Sequence, residues 1–192
     1  MKKIDLFRWG VLPALLFTRA LFPQEEAPKK AEEISLKTVE PVYYAALEMT
    51  GSYDQHEKAF QVLYEAAGTQ GLDMTAMPFG IYWNSPEEVS EKELKWEVGL
   101  PLTGKKELAE PLVVKHWEFT QMAVMIYEGV FDGENMGKAY GRVFQWIGEN
   151  GYIPAGPILE TYLSMPVTND KGETSGKVEI AVPVQKNPDC EG

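Results

Sequence analysis

Cysteine is nearly missing from this chain, and that excludes two classes of protein at once. The one cysteine, Cys190, lies in a polar tail, so neither an internal disulfide framework nor a cysteine-based zinc site can be built. Histidine is almost as scarce: His56 and His116 are the whole supply and share no metal-ligand spacing, so no metal and no cofactor are expected. Positive charge is also short. With 18 Lys and Arg against 29 Asp and Glu, the formal charge of −11 repels phosphate backbones and argues against a nucleic-acid partner. No apolar run reaches the ~20 residues a membrane-crossing helix needs, so no transmembrane span is expected. Glycine-rich phosphate loops and nucleophile-elbow patterns do not occur either.

What is present is an ordinary globular composition, 44% hydrophobic, carrying an internal duplication. Gly51-Ser-Tyr-Asp54 returns 78 positions later as Gly129-Val-Phe-Asp132. Lys58-Ala-Phe60 matches Lys138-Ala-Tyr140, Gly68-Thr-Gln-Gly71 matches Gly148-Glu-Asn-Gly151, and Tyr82 and Pro86 match Tyr162 and Pro166, all at a shift of 80. Lys95 to Pro101 matches Lys177 to Pro183 at 82. The repeats are read as 39–102 and 113–184. Two copies are too few for a solenoid and suit a pseudo-twofold domain with a ligand site where the halves meet.

Residues 1–23 read as a secretory signal or membrane-directed segment: Lys2 and Lys3 precede an apolar stretch from Trp9 to Phe17, with small residues after it. Export to the periplasm or medium is the expectation, with a cytoplasmic protein as the alternative. Residues 24–33 are a polar linker, 34–186 the folded domain and 187–192 a tail.

Each copy predicts strand, helix, strand, strand. In the first, strand 42–49 stops at Gly51, Asp54 is positioned to cap a helix over 55–67 with Phe60, Leu63, Tyr64 and Ala67 on one face, and Gly68 is placed to end it. Strands 78–83 and 95–102 follow. The second copy predicts a strand over 117–127, a helix over 133–147 and strands over 157–163 and 177–184, with Gly51 and Gly129 at equivalent turns. His56 is placed on the polar side of the first helix. The fold class is therefore α+β, a mainly antiparallel, curved sheet covered by two helices, with a central cleft.

These residues resemble the GyrI-like small-molecule-binding domain, also described as the AraC-type effector-binding or SOUL-like family. The resemblance is carried by Gly51-Ser-Tyr-Asp54, by Phe79-Gly-Ile-Tyr82 with Asn84-Ser-Pro86, and by Glu97-Val-Gly-Leu-Pro101. In the second half it is carried by Gly151-Tyr-Ile-Pro-Ala-Gly156, Glu160-Thr-Tyr162 and Glu179-Ile-Ala-Val-Pro183. It implies two strand-helix-strand-strand units and a cleft for apolar, often cationic, small molecules, and it implies ligand-contacting acids at Glu160 and Glu179. No helix-turn-helix pattern precedes Ile34, so the resemblance implies a binding domain without its own DNA-reading module.

Residue by residue, Glu160 and Tyr162 are two apart on one strand and share a face. A carboxylate among apolar neighbours costs desolvation and has its pKa raised unless a cation or hydrogen bonds compensate. Glu179 and its first-half counterpart Glu97 are the other candidate acids. Gly80 takes the place of Glu160 in the first copy, and Tyr82, Trp83 and Tyr162 offer aromatic faces to a cation. Ligand binding is thus assigned to Glu160, Tyr162, Glu179, Tyr82, Trp83, Glu97 and Gly80. The functional expectation is binding of small apolar, cationic molecules. The alternatives are a hydrolase using Glu160 and Glu179 to activate water, and a protein-interaction module. Neither the ligand nor the oligomeric state is legible.

Overall fold

The computed structural model describes residues 33–190, and the segment expected to be a secretory signal and most of the expected linker lie outside them. Among the described residues the chain forms β1 (Ser35–Thr38), β2 (Val42–Thr50), α1 (His56–Thr69), β3 (Phe79–Tyr82), β4 (Lys95–Pro101), β5 (Val113–Trp117) and β6 (Gln121–Val130). Then come α2 (Gly133–Glu149), β7 (Tyr152–Pro154), β8 (Ile158–Tyr162), β9 (Val167–Thr168) and β10 (Thr174–Lys186). Every strand pairing is antiparallel. The sheet runs β1-β6-β10-β8-β3-β4-β2-β5, with β7 and β9 hanging on β10, and remains open at both ends. This is the α+β architecture expected.

The strand order is a palindrome of the duplication. Reading outward from the β3–β8 junction, β3-β4-β2-β5 on one side answers β8-β10-β6-β1 on the other. Gly80 pairs directly with Glu160, its own counterpart at the 80-residue shift, so these two positions straddle the pseudo-twofold axis.

Sequence and space part company at the edges. Val113 opens the second copy in sequence, but Val113–Trp117 pairs with β2 of the first half, while β1, which precedes the first copy, pairs with β6 of the second. In each half the short strand just ahead of the first long strand is therefore given to the other half. The single strand expected over 117–127 is in fact two, broken at Glu118-Phe-Thr120 where the chain passes between the halves.

Strand alternation sorts the core into three layers. Ala45, Leu47, Trp96, Val98 and Leu100 pack beneath Ala59, Leu63 and Ala67 of α1. Ala123, Met125, Val178, Ile180 and Val182 pack beneath Ala139, Val143 and Ile147 of α2. The face of the sheet away from the helices carries the third cluster, including Tyr44, Ala46, Phe79, Ile81, Trp117 and Met122. Each fully buried aliphatic side chain contributes ~1.5–3 kcal/mol relative to exposure.

The helix ends correct three local expectations. Asp132 caps α2, accepting from the Asn135 amide at 2.7 Å, but Asp54 caps nothing. In the first half Ser52 instead takes the Asp54 amide at 3.2 Å and starts a short 3-10 turn over Tyr53–Gln55 that leads into α1. Gly68 lies inside α1, and the left-handed position falls on Gly71 (φ 65°), as it does on Gly151 (φ 73°) after α2. Gly51 is left-handed (φ 93°) at a turn, whereas Gly129 remains in β6 beneath the Tyr127 ring.

Candidate functional site

The helix-facing side of β3 and β8 presents Gly80 and Tyr82 from one strand and Glu160 and Tyr162 from the other. Glu160 is only 4% exposed, and its hydrogen-bond partners among the described residues are tyrosine hydroxyls. Tyr162 reaches one carboxylate oxygen at 3.2 Å, and Tyr140 of α2 donates to the other. No lysine or arginine among the described residues pairs with it. Desolvation pushes its pKa above the usual carboxylate range, against the hydroxyl bonds from Tyr140 and Tyr162 and the nearby Tyr82 hydroxyl.

The tyrosines form a connected group around the axis. Tyr82 and Tyr162, the same residue in the two copies, meet hydroxyl to hydroxyl at 2.9 Å. Phe60 of α1 stands edge-on to the Tyr162 ring with centroids 5.3 Å apart, and Tyr53 is edge-on to Tyr82 at the same distance. Burial drives the Tyr82, Tyr162 and Tyr140 phenols well above their ordinary range, reinforced by the nearby Glu160 charge, so all three stay protonated donors. Gly80 has a steric reason: a Cβ there would lie 2.7 Å from the Tyr82 hydroxyl, so only glycine lets that ring fold back over the axis.

His56 completes the group and corrects its expected place. It is the first residue of α1, half-buried rather than on the polar side, with its ring 4.4 Å from Trp96. Its Nε2 is 2.8 Å from the Tyr82 hydroxyl and its Nδ1 is 2.5 Å from the Tyr53 carbonyl. Burial holds its pKa below the ordinary imidazole value, against the Tyr53 carbonyl and the Asp54 charge. Tyr53, His56, Phe60 and Tyr140 were missed as site residues. For Phe60 and Tyr140 the signal was their match in the duplication, which puts them at the same depth on two symmetry-related helices.

The structure does not bring the other expected acids here. In the β8–β10 register Glu160 faces Ile180 and Glu179 faces Thr161, so the two glutamates project from opposite faces of the sheet. Glu179 is paired with Lys37 at 2.7 Å. Glu97 shares the face of Glu179, is 1% exposed, accepts from Tyr44 at 2.6 Å and is bridged by Lys115, which also holds Glu48 at 2.6 Å. Trp83 is 50% exposed just past β3. Thus Glu160, Tyr162, Tyr82 and Gly80 lie together around the axis, while Glu97, Glu179 and Trp83 lie elsewhere. His116 lies at the surface against Tyr43 and Glu118. No cluster of metal-ligating side chains occurs among the described residues, and no helix among them is long and apolar enough to cross a membrane.

Comparison with known proteins agrees with this architecture. No curated protein sequence matches the chain. Among solved structures, the C-terminal domain of EcmrR has a TM-score of 0.66 at 19% identity, covering 81% of this chain and 99% of that one. Against the longer EcmrR chain seen in complex with DNA, this chain spans 57% of the partner's length, at 18% identity, 80% coverage and a TM-score of 0.65. A structure described as a hydrolase from Listeria innocua has a TM-score of 0.60 at 14% identity, covering 81% and 94%. SAV2435, solved bound to tetraphenylphosphonium, has a TM-score of 0.51 at 13% identity, covering 83% and 98%. At these identities the likeness is one of fold. The family model for the GyrI-like small molecule binding domain matches residues 32–185, and the chain belongs to that family.

Proposed function

We propose that this protein binds small lipophilic cations between α1 and α2, with Glu160 as the counter-ion. The observation that carries this reading is Glu160 on the helix face, nearly inaccessible and, among the described residues, hydrogen-bonded only by tyrosine hydroxyls. An ionised carboxylate in that setting lacks the cation that would offset its desolvation, and a ligand cation supplies it. The rings of Tyr82, Tyr162, Tyr140 and Phe60 give a delocalised cation both dispersion and cation–π contact. Phe60 and Tyr140, at matched positions on the two helices, are the side chains that yield to admit it. The fold shared with SAV2435, a protein solved with tetraphenylphosphonium, supports the choice of ligand class. An exported protein with this site would meet such compounds outside the cytoplasm.

Calorimetry with tetraphenylphosphonium and the neutral triphenylphosphine oxide tests the reading. The cation should bind the wild type and lose affinity with Glu160→Gln much more than the neutral compound does. Equal losses for both would make Glu160 structural and overturn the assignment.

A further inference from the structure

A row of four groups runs from the buried carboxylate to a half-buried imidazole. Glu160 Oε2 contacts the Tyr162 hydroxyl at 3.2 Å, that hydroxyl contacts Tyr82 at 2.9 Å, and Tyr82 contacts His56 Nε2 at 2.8 Å. The far nitrogen of His56 faces the Tyr53 carbonyl, which can only accept. Nδ1 therefore keeps its proton in either charge state, and Nε2 is the nitrogen that gains or loses one.

This arrangement has two self-consistent hydrogen-bond directions. With Glu160 protonated and His56 neutral, the carboxylic acid donates to Tyr162, Tyr162 to Tyr82, and Tyr82 to Nε2. With Glu160 ionised, Nε2–H donates to Tyr82, Tyr82 to Tyr162, and Tyr162 to the carboxylate. One direction becomes the other when each O–H bond along the row breaks as the next forms. The net change is one proton moved from Glu160 to His56, with both tyrosines neutral before and after.

We propose that arrival of a cation at Glu160 drives the carboxyl proton through the Tyr162 and Tyr82 hydroxyls to Nε2 of His56, making His56 the proton outlet of the ligand site. The proposal rests on the cation-binding reading above. The ionisable neighbours are Asp54 near His56 and Tyr53, with Glu88 acting on Tyr53, while Tyr140 from α2 faces Glu160. Asp54 favours imidazolium at the outer end. Burial raises Glu160 and lowers His56, which narrows the gap between donor and acceptor.

The test follows the His56 Hε1 signal by NMR in the full-length protein, with tetraphenylphosphonium as probe and His116, the chain's other histidine, as internal reference. At a pH near the ligand-free midpoint, saturating tetraphenylphosphonium should move His56 toward imidazolium and raise its midpoint by about half to one pH unit. Repulsion by a bound cation alone pushes the other way, so no movement, or movement toward the neutral ring, overturns the proposal. Tyr82→Phe should abolish the response, and Tyr162→Phe interrupts the same row should the first variant fail to fold. A ligand-free arm separates this proposal from the binding assignment. Glu160→Gln should lower the His56 midpoint in the wild-type background and leave it unchanged in the Tyr82→Phe background. That pattern without any tetraphenylphosphonium binding would sink the ligand assignment and leave the row standing. An equal drop in both backgrounds would mean coupling through space and overturn the row.

Discussion

Among the described residues Glu97 and Glu160 are the two buried carboxylates, and their surroundings differ in a respect that decides what each can do. Glu97 is closed: Lys115 and Tyr44 occupy it, and the Lys115 ammonium, although burial works against it, is held above its usual range by Glu48 and Glu97. Glu160 has only neutral hydroxyls among the described residues. A paired buried acid is part of the framework, whereas one that lacks a cation is receptive to one. The two are not counterparts in the duplication: Glu97 corresponds to Glu179 and Glu160 to Gly80, and they project from opposite faces of the sheet.

The largest expected effect breaks the comparison directly. Glu160→Gln should weaken tetraphenylphosphonium by about 2–5 kcal/mol, roughly 30-fold or more, in calorimetry, because it removes the charge and keeps the shape. Glu97→Gln should leave that affinity unchanged. In denaturant melts Glu97→Gln should instead lower stability by about 1–3 kcal/mol, since Lys115 keeps Glu48 but loses its buried partner.

The pH dependence sharpens the contrast. Because the folded pKa of Glu160 is raised, the native state binds the extra proton more tightly than the unfolded chain between the ordinary glutamate value and the raised one. Stability from this group is full below that window, falls as pH rises through it, and stays lower above. Denaturation across pH 4 to 8 should show that decline in the wild type and lack it in Glu160→Gln. Tetraphenylphosphonium affinity should rise over the same window, as Glu160 ionises.

Smaller effects test the axis and the helix starts. Gly80→Ala places a Cβ against the Tyr82 hydroxyl and should cost about 1–3 kcal/mol while displacing that ring, read by thermal melts and by a changed His56 signal. Asp132→Ala should cost about 1 kcal/mol through its lost cap, and Asp54→Ala should cost far less, because Ser52 does the capping in the first half.

Much of this was legible in the chain. The period-two and period-3.6 patterns located β2, α1, β3, β4, α2, β8 and β10, because burial of one face leaves its mark locally. The duplication marked Gly80, Tyr82, Glu160 and Tyr162 as counterparts, and the two-residue spacing put Glu160 and Tyr162 on one face. The short edge strand β1 was not legible, since Ser35–Thr38 is wholly exposed and carries no burial pattern. The cap at Asp54 failed for a related reason: an identical acid serves in one copy and not the other, depending on whether a 3-10 turn intervenes.

The sequence by itself determined the elements and the identity of the candidate acids, which rest on neighbours close in the chain, and the twofold plan, which rests on the repeat at 78 to 82 positions. Only the tertiary structure decided which acids meet. Register across β8 and β10 set Glu160 and Glu179 on opposite faces, since a one-residue offset reverses every side chain. The entry angle of α1 turned His56 inward onto Tyr82, 26 residues away. Lys115, 18 residues beyond Glu97, neutralised one glutamate and left the other without a cation. Pairings of that kind depend on which strands lie side by side, and no local pattern records them.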